Sequence, residues 1–118
     1  MGDLSTHFNR HEFTCRCGCG FDDISPDLIT LLEEIRQAYS LPVIINCGCR
    51  CASHNAKVGG AVKSQHLIGF AADIVIRGIS PAQVYQWIDE HYPQQLGLGS
   101  YDSFVHVDVR PHCARWKG

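Results

Sequence analysis

Two segments of the chain carry apolar residues at the spacing of an amphipathic helix. The first follows Ser25 and Pro26, a capping residue and a proline at the first helical position, and predicts a helix over residues 26–39. The second follows the similar pair Ser80 and Pro81. The apolar faces are formed by Leu28, Leu31, Leu32, Ile35 and Tyr39 in the first segment and by Val84, Trp87 and Ile88 in the second.

Four short runs have the composition of β-strands. Residues 42–46 and 72–76 are rich in β-branched residues, which predicts buried strands. Residues 97–101 and 104–109 predict two more. In the last run, alternate positions share one face of the strand, and these are Phe104, His106 and Asp108. Two main helices packed against a small, mostly antiparallel sheet make an α+β fold.

The composition is typical of one small globular domain. The chain has 118 residues, 45% of them hydrophobic, and we expect a single domain over residues 1–118. No apolar run approaches the ~20 residues of a membrane span, so we expect a soluble protein, and we expect it to be a monomer. Ten Lys and Arg residues against twelve Asp and Glu residues give a net charge of -2, which argues against a nucleic-acid partner.

Seven cysteines are many for so short a chain. Residues 1–8 have neither the basic start nor the apolar core of a signal peptide, so we expect synthesis in the cytoplasm and favour free thiols or a metal site over a disulfide framework. Six thiols in two alternating rows can hold a structural zinc, form disulfides after release, or pack in the core. The rows are Cys15, Cys17, Cys19 and Cys47, Cys49, Cys51, and Cys113 stands apart.

Three polar residues in apolar surroundings point to a metal centre. His66 and Asp73 lie in one apolar stretch, and His106 lies on the predicted strand 104–109. A buried carboxylate is costly unless a cation or a hydrogen-bond partner neutralises it. Two imidazoles and one carboxylate are a ligand set of catalytic zinc, which keeps its fourth position open for water. Gly69 lets the chain fold back closely between His66 and Asp73.

The same residues match the signature of a known family. The chain resembles the zinc D-Ala-D-Ala carboxypeptidase and peptidoglycan endopeptidase family (peptidase M15-like), whose fold is shared with the hedgehog signalling domain. Its signature is S-x-H-x-x-G-x-A-x-D followed by a histidine on a later strand, and residues 46–50 occupy the place of the family's S-G-Y-R segment. The matching residues are Ser64, His66, Gly69, Ala71, Asp73 and His106.

The resemblance implies a hedgehog/DD-peptidase-like fold with zinc bound by His66, Asp73 and His106. It also implies that Arg50 faces the substrate, where a guanidinium can bind a peptide carboxylate or a developing oxyanion; a salt bridge at a strand end is the alternative role. The implied substrate is the peptide stem of bacterial peptidoglycan, cut by zinc-activated water at the terminal D-Ala-D-Ala bond or inside the stem. The short chain resembles phage and bacterial forms, which act at the cell wall if released.

The chain departs from the family pattern at the position of the general base. Many members carry Glu or Asp three residues before the last zinc histidine, where this chain has Ser103, and serine accepts no proton at neutral pH. The available carboxylates are Asp102 and Asp108, and Asp108 is preferred because it is nearer to His106 on the same strand face. Orienting the imidazole of His106 is an equally good role for Asp108.

Other roles stay open beside the peptidase. The chain can be a non-catalytic zinc domain that binds cell-wall peptides or a protein partner, which the serine at position 103 favours, or a purely structural thiolate-zinc module. His54 and Asn55 are expected to fix a loop by local hydrogen bonds. Trp116, near the end of the chain, is a candidate to line the cleft.

Overall fold

Three α-helices, five strands and two short 3-10 turns form within residues 2–118, the part of the chain that the computed structural model describes. The helices are α1 (Pro26–Tyr39), α2 (Ala52–Lys57) and α3 (Pro81–His91). The strands are β1 (Val43–Cys47), β2 (Ala71–Ile76), β3 (Gly97–Ser100), β4 (Val105–Asp108) and β5 (Ala114–Lys117), and the 3-10 turns span Arg10–Glu12 and Gln65–Ile68.

The two long helices begin and end where local chemistry dictates. Helix α1 covers the predicted residues 26–39 and stops at Ser40, whose backbone is left-handed with φ 53°. Helix α3 starts after Ser80, whose side chain accepts a hydrogen bond from the Gln83 amide while the Gln83 side chain bonds back to Ser80. None of the helices among residues 2–118 combines the length and the apolar character needed to cross a bilayer.

The five strands form one sheet in the order β1-β2-β4-β3-β5. Neighbouring strands are antiparallel except β3 and β5, which are parallel. This confirms the predicted α+β class with two main helices and a small, mostly antiparallel sheet. The four predicted strands correspond to β1–β4, each within one residue at either end. Strand β5 and the short helix α2 were not predicted.

Alternation along β2 and β4 separates the core from the site. Ala72, Ile74, Val105 and Val107 are buried in one hydrophobic cluster with apolar residues of α1 and α3. Successive side chains of a strand point to opposite faces. The residues between these four therefore face away from the helices, and they include Asp73 and His106.

Candidate metal centre

A row of paired positions crosses the open face of the sheet. Asp73 on β2 is paired with Cys47 on β1 and with His106 on β4. His106 is also paired with Gly99 on β3, which in turn pairs with Trp116 on β5. The register thus brings together residues that are up to 69 positions apart in the chain (Cys47 to Trp116, 116 minus 47).

His66 reaches this row from the 3-10 turn before β2. The turn begins at Ser64, whose hydroxyl accepts a hydrogen bond from the His66 amide at 3.2 Å, and it ends at Gly69 with φ +72°. A β-carbon on Gly69 would lie 2.0 Å from the carbonyl oxygen of Asp23. Only glycine fits this left-handed, crowded position, which confirms the predicted close turn between His66 and Asp73.

The imidazoles of His66 and His106 meet at one carboxylate oxygen. Oδ1 of Asp73 lies 3.2 Å from Nε2 of His66 and 3.1 Å from Nδ1 of His106, and all three residues are buried. Bonds of about 2.0–2.1 Å from a tetrahedral zinc ion would place its ligand atoms about 3.3 Å apart. The donor set and these two distances fit zinc, and the structure brings both predicted imidazoles to the predicted carboxylate.

The outer hydrogen bond of each ring fixes which nitrogen is free. Nδ1 of His66 lies 2.5 Å from the carbonyl oxygen of Gly48, which can only accept, so this nitrogen carries the proton. Nε2 of His106 lies 2.7 Å from Oδ2 of Asp108 and donates to it. The nitrogens that remain, Nε2 of His66 and Nδ1 of His106, both face Asp73. Each can bind a metal once the proton on that side of the ring has been released.

Asp108 lies behind His106, away from the cleft. Its carboxylate is fully buried and accepts hydrogen bonds from His106, from Nε and Nη2 of Arg110 at 2.8 and 2.6 Å, and from the Gly97 amide at 3.2 Å. Although burial opposes ionisation, the hydrogen bonds from Arg110 and His106 hold the pKa of Asp108 well below its usual range. This arrangement favours the orienting role over proton transfer.

Opposite charges stabilise the ionised forms at the centre. Burial alone would raise the pKa of Asp73, but the hydrogen bonds from His106 and His66 outweigh it and lower the pKa to about 2. Burial would likewise lower the pKa of His66, and its hydrogen bonds with Asp73 and Cys47 instead raise the pKa to about 9. In the metal-free protein the centre therefore holds a carboxylate beside a protonated imidazole.

Arg50 reaches into the centre. Its Nη2 lies 3.5 Å from Oδ2 of Asp73, and its Nε donates to Sγ of Cys47 at 3.3 Å. Its Nη1 donates to Oδ1 of Asn55 at 3.2 Å, and Asn55 also donates to the carbonyl oxygen of Ala61 at 2.8 Å. Asn55 therefore fixes the loop, as expected, and it also holds the guanidinium, a role that was not predicted.

The centre forms the floor of an open cleft of about 470 Å³. One wall is aromatic: Tyr101 stacks on Phe104 with ring centroids 4.4 Å apart, and the indole of Trp116 donates to the Tyr101 hydroxyl at 3.0 Å. Arg110 lies over the Trp116 ring at 5.0 Å. Trp116 therefore lines the cleft as suggested. Tyr101, Phe104 and Arg110 were not predicted from the sequence to lie in the cleft. Phe104 and Arg110 had a signal, since both continue the alternation of His106 and Asp108.

The described walls of the cleft carry few acidic side chains. Asp102 and Ser103 are exposed, and neither lines the cleft. Among the described residues that line it, Asp73 is the one carboxylate. A proton acceptor at the usual family position is therefore absent from the described walls.

Comparison with known proteins identifies the family. A sequence model of the family described as Peptidase M15 matches residues 6–108. The chain belongs to the peptidase M15 family. The match confirms the predicted resemblance and makes the chain a metallopeptidase of a generally zinc-dependent family. The part that matches the M15 model includes Arg50 and all three predicted ligands. No curated protein matches the chain.

Proposed function

We propose that this M15 peptidase hydrolyses an amide bond in the peptide stem of bacterial peptidoglycan. The observation that carries the proposal is the meeting of two imidazoles on one carboxylate oxygen at the floor of an open cleft, with Arg50 beside it. A cleft of this volume accommodates a short peptide. The substrate class follows from family membership and from the chemistry of these groups.

His66, Asp73 and His106 would hold the zinc. When bound, zinc supplies a Lewis acid that polarises a carbonyl and lowers the pKa of water to about 7. The protein's part is to keep the ligand lone pairs aimed at the cleft floor. The Gly48 carbonyl does this for His66, and Asp108 does it for His106.

Arg50 would bind a carboxylate of the substrate. A guanidinium has five N–H donors, and hydrogen bonds to Cys47 and Asn55 use two of them (5 minus 2 leaves three). The remaining donors, on the side that faces Asp73 at 3.5 Å, suit the terminal carboxylate of a D-Ala-D-Ala stem. This favours a D,D-carboxypeptidase over an endopeptidase that cuts inside the stem.

The second candidate is a non-catalytic zinc domain that binds cell-wall peptides or a protein partner. Its support is the lack of any carboxylate besides Asp73 among the described cleft residues. We assign Asp108 to orienting His106, because its oxygens already accept hydrogen bonds from His106 and from the guanidinium of Arg110. We also propose a monomer that acts at the cell wall after release from the cytoplasm.

Digestion of defined muropeptides tests the proposal. The purified chain is incubated with zinc and with stem peptides that end in D-Ala-D-Ala, with and without a chelator, and products are identified by mass spectrometry. Free D-Ala, lost on adding the chelator or in His66→Ala, supports the carboxypeptidase, and internal fragments identify an endopeptidase. Intact peptides together with measurable binding would support the non-catalytic domain instead.

A further inference from the structure

Four cysteine side chains meet outside the cleft. Cys15, Cys17 and Cys19 come from the loop before α1, and Cys51 follows β1. Their four Sγ atoms all lie within 4.8 Å of one another. The whole first row of cysteines, residues 15, 17 and 19, therefore lies beside one cysteine of the second row, Cys51.

The spacing of the sulfurs suits a shared ion. Sγ of Cys17 lies 3.4 Å from that of Cys15 and 3.5 Å from that of Cys51. Four Zn–S bonds of about 2.3 Å in a tetrahedron would place the sulfurs about 3.8 Å apart. Two disulfides among the four would require one bond within the segment 15–19, whereas a single four-coordinate ion uses all four thiolates together.

The loop is already folded around this point. The Cys15 amide donates to the carbonyl oxygen of Phe21 at 2.8 Å, and the Gly18 amide donates to that of Cys15 at 3.3 Å. Gly18 and Gly20 have left-handed backbones with φ +87° and +89°. Glycine adopts this conformation at little cost, so the alternation of glycine and cysteine lets the loop curl with its thiols together.

Backbone amides also point at two of the sulfurs. The Cys51 amide donates to Sγ of Cys15 at 3.4 Å, and the His54 amide donates to Sγ of Cys51 at 3.4 Å. Amide donors stabilise negative charge on an acceptor. These bonds hold the Cys15 and Cys51 side chains in place within the cluster.

We propose that Cys15, Cys17, Cys19 and Cys51 bind a second, structural zinc ion. Four protein ligands fill a tetrahedral zinc and leave no position for water, so this ion takes no part in hydrolysis. It would tie the loop before α1 to the segment that follows β1, next to Arg50. The proposal does not depend on the peptidase activity, because it uses a separate set of ligands.

Metal content per chain tests the site. The full chain, purified under reducing conditions with zinc and then dialysed, should carry two zinc ions. The Cys17→Ser/Cys19→Ser double variant should carry one, as should His66→Ala/His106→Ala, which loses the other ion. Both cysteines are exposed, so serine leaves no cavity at these positions. Cys113→Ser, at an exposed cysteine outside the cluster, is the matched control and should keep two.

Cobalt substitution keeps the test independent of folding defects in the cysteine variant. His66→Ala/His106→Ala loaded with Co²⁺ should show thiolate-to-cobalt charge-transfer absorption, because its cysteine cluster is intact. A wild-type chain with a single zinc that the histidine variant loses completely would overturn the proposal. So would an intact mass showing disulfides among these cysteines in freshly purified protein. The expected zinc contents of the wild type and of the variants stay the same even if the chain does not digest muropeptides, so the two proposals can fail separately.

Discussion

The Nε2 atom of His106 donates a hydrogen bond of 2.7 Å to Oδ2 of Asp108, two residues along the same strand face. The same carboxylate receives two hydrogen bonds from the guanidinium of Arg110. His106 therefore has one nitrogen tied to a buried anion and the other turned to Asp73. A ring held in this way is oriented before any metal binds.

Asp108→Asn should weaken zinc binding at the centre by about 10–100-fold. The amide keeps the shape of the side chain but removes the charge that pairs with Arg110 and one of the two acceptor oxygens. The measurement is zinc affinity by competition with a chelator, made beside turnover. Asp102→Asn, at an exposed carboxylate that does not line the cleft, is the matched control and should change neither quantity.

The two roles considered for Asp108 separate in this experiment. An Asp108→Asn variant that binds zinc as tightly as the wild type and yet loses turnover would identify Asp108 as the general base. It would contradict the orienting role that its buried contacts support.

Arg50→Ala should raise the KM for a peptide with a free terminal carboxylate and lower kcat/KM by about 10–100-fold. A hydrogen bond to a charged group contributes about 1.5–3 kcal/mol, and the guanidinium is the group we assign to the carboxylate. Zinc content should not change, since Arg50 is not a ligand. Steady-state kinetics with the free acid and with its C-terminal amide check this. Arg77→Ala, at an exposed arginine, is the control, and equal loss on both substrates would argue against carboxylate binding.

Gly69→Ala should destabilise the protein by more than Gly59→Ala. Both glycines have φ +72°, so backbone strain should lower the free energy of unfolding by about 1–3 kcal/mol in either alanine variant. Only at Gly69 would the new β-carbon also collide with the backbone of Asp23, because nothing lies within 4 Å of that position at Gly59. Chemical denaturation of both variants measures the difference. If both variants lost the same free energy of unfolding, the turn beside His66 would be able to shift and avoid the collision with Asp23.

The segment before α1 should loosen as the pH falls. Glu33 accepts hydrogen bonds from the Ser5 hydroxyl and from the His7 amide at 2.7 Å. Burial would raise the pKa of Glu33, but these bonds outweigh it and lower the pKa below its ordinary value. A depressed carboxyl pKa stabilises the fold above the unfolded value and ceases to do so as the pH drops through the folded value.

Glu33→Gln should therefore cost about 1 kcal/mol near neutral pH and nearly nothing at a pH below the folded pKa of Glu33. Urea unfolding of wild type and variant across this range gives the two curves. Glu90→Gln, at an exposed glutamate, should follow the wild type at every pH. A constant gap between wild type and Glu33→Gln would show that the ionisation of Glu33 is not the cause.

Local signals in the sequence were sufficient for the main elements. Helix α1 and strands β1–β4 carry their own periodicity and caps, so they could be predicted within a residue. Helix α2 has six mostly polar residues and no apolar face, and β5 ends in Arg115, Trp116 and Lys117 with no alternation of apolar residues. Helix α2 begins at a cysteine cap, Cys51, which is not among the usual capping residues and so gave no signal. Strand β5 depends on its pairing with β3.

The three residues proposed as ligands could be chosen from their apolar sequence context and from the resemblance to the family signature, but the contacts around them could not. That Arg110 holds Asp108, that Asn55 holds Arg50, and that Cys51 joins the first row of cysteines depends on how distant segments approach. Sequence spacing contains no such distances. The expected same-face arrangement of His106 and Asp108 follows from strand geometry alone, and it is present.

Anomalous diffraction at the zinc edge would locate the ion. For crystals grown with zinc, we expect a peak bound by Nε2 of His66, by Asp73 and by Nδ1 of His106. These are the two nitrogens left free by Gly48 and Asp108. Zinc found only at the cysteines, with His66, Asp73 and His106 turned apart and no peak between them, would contradict it.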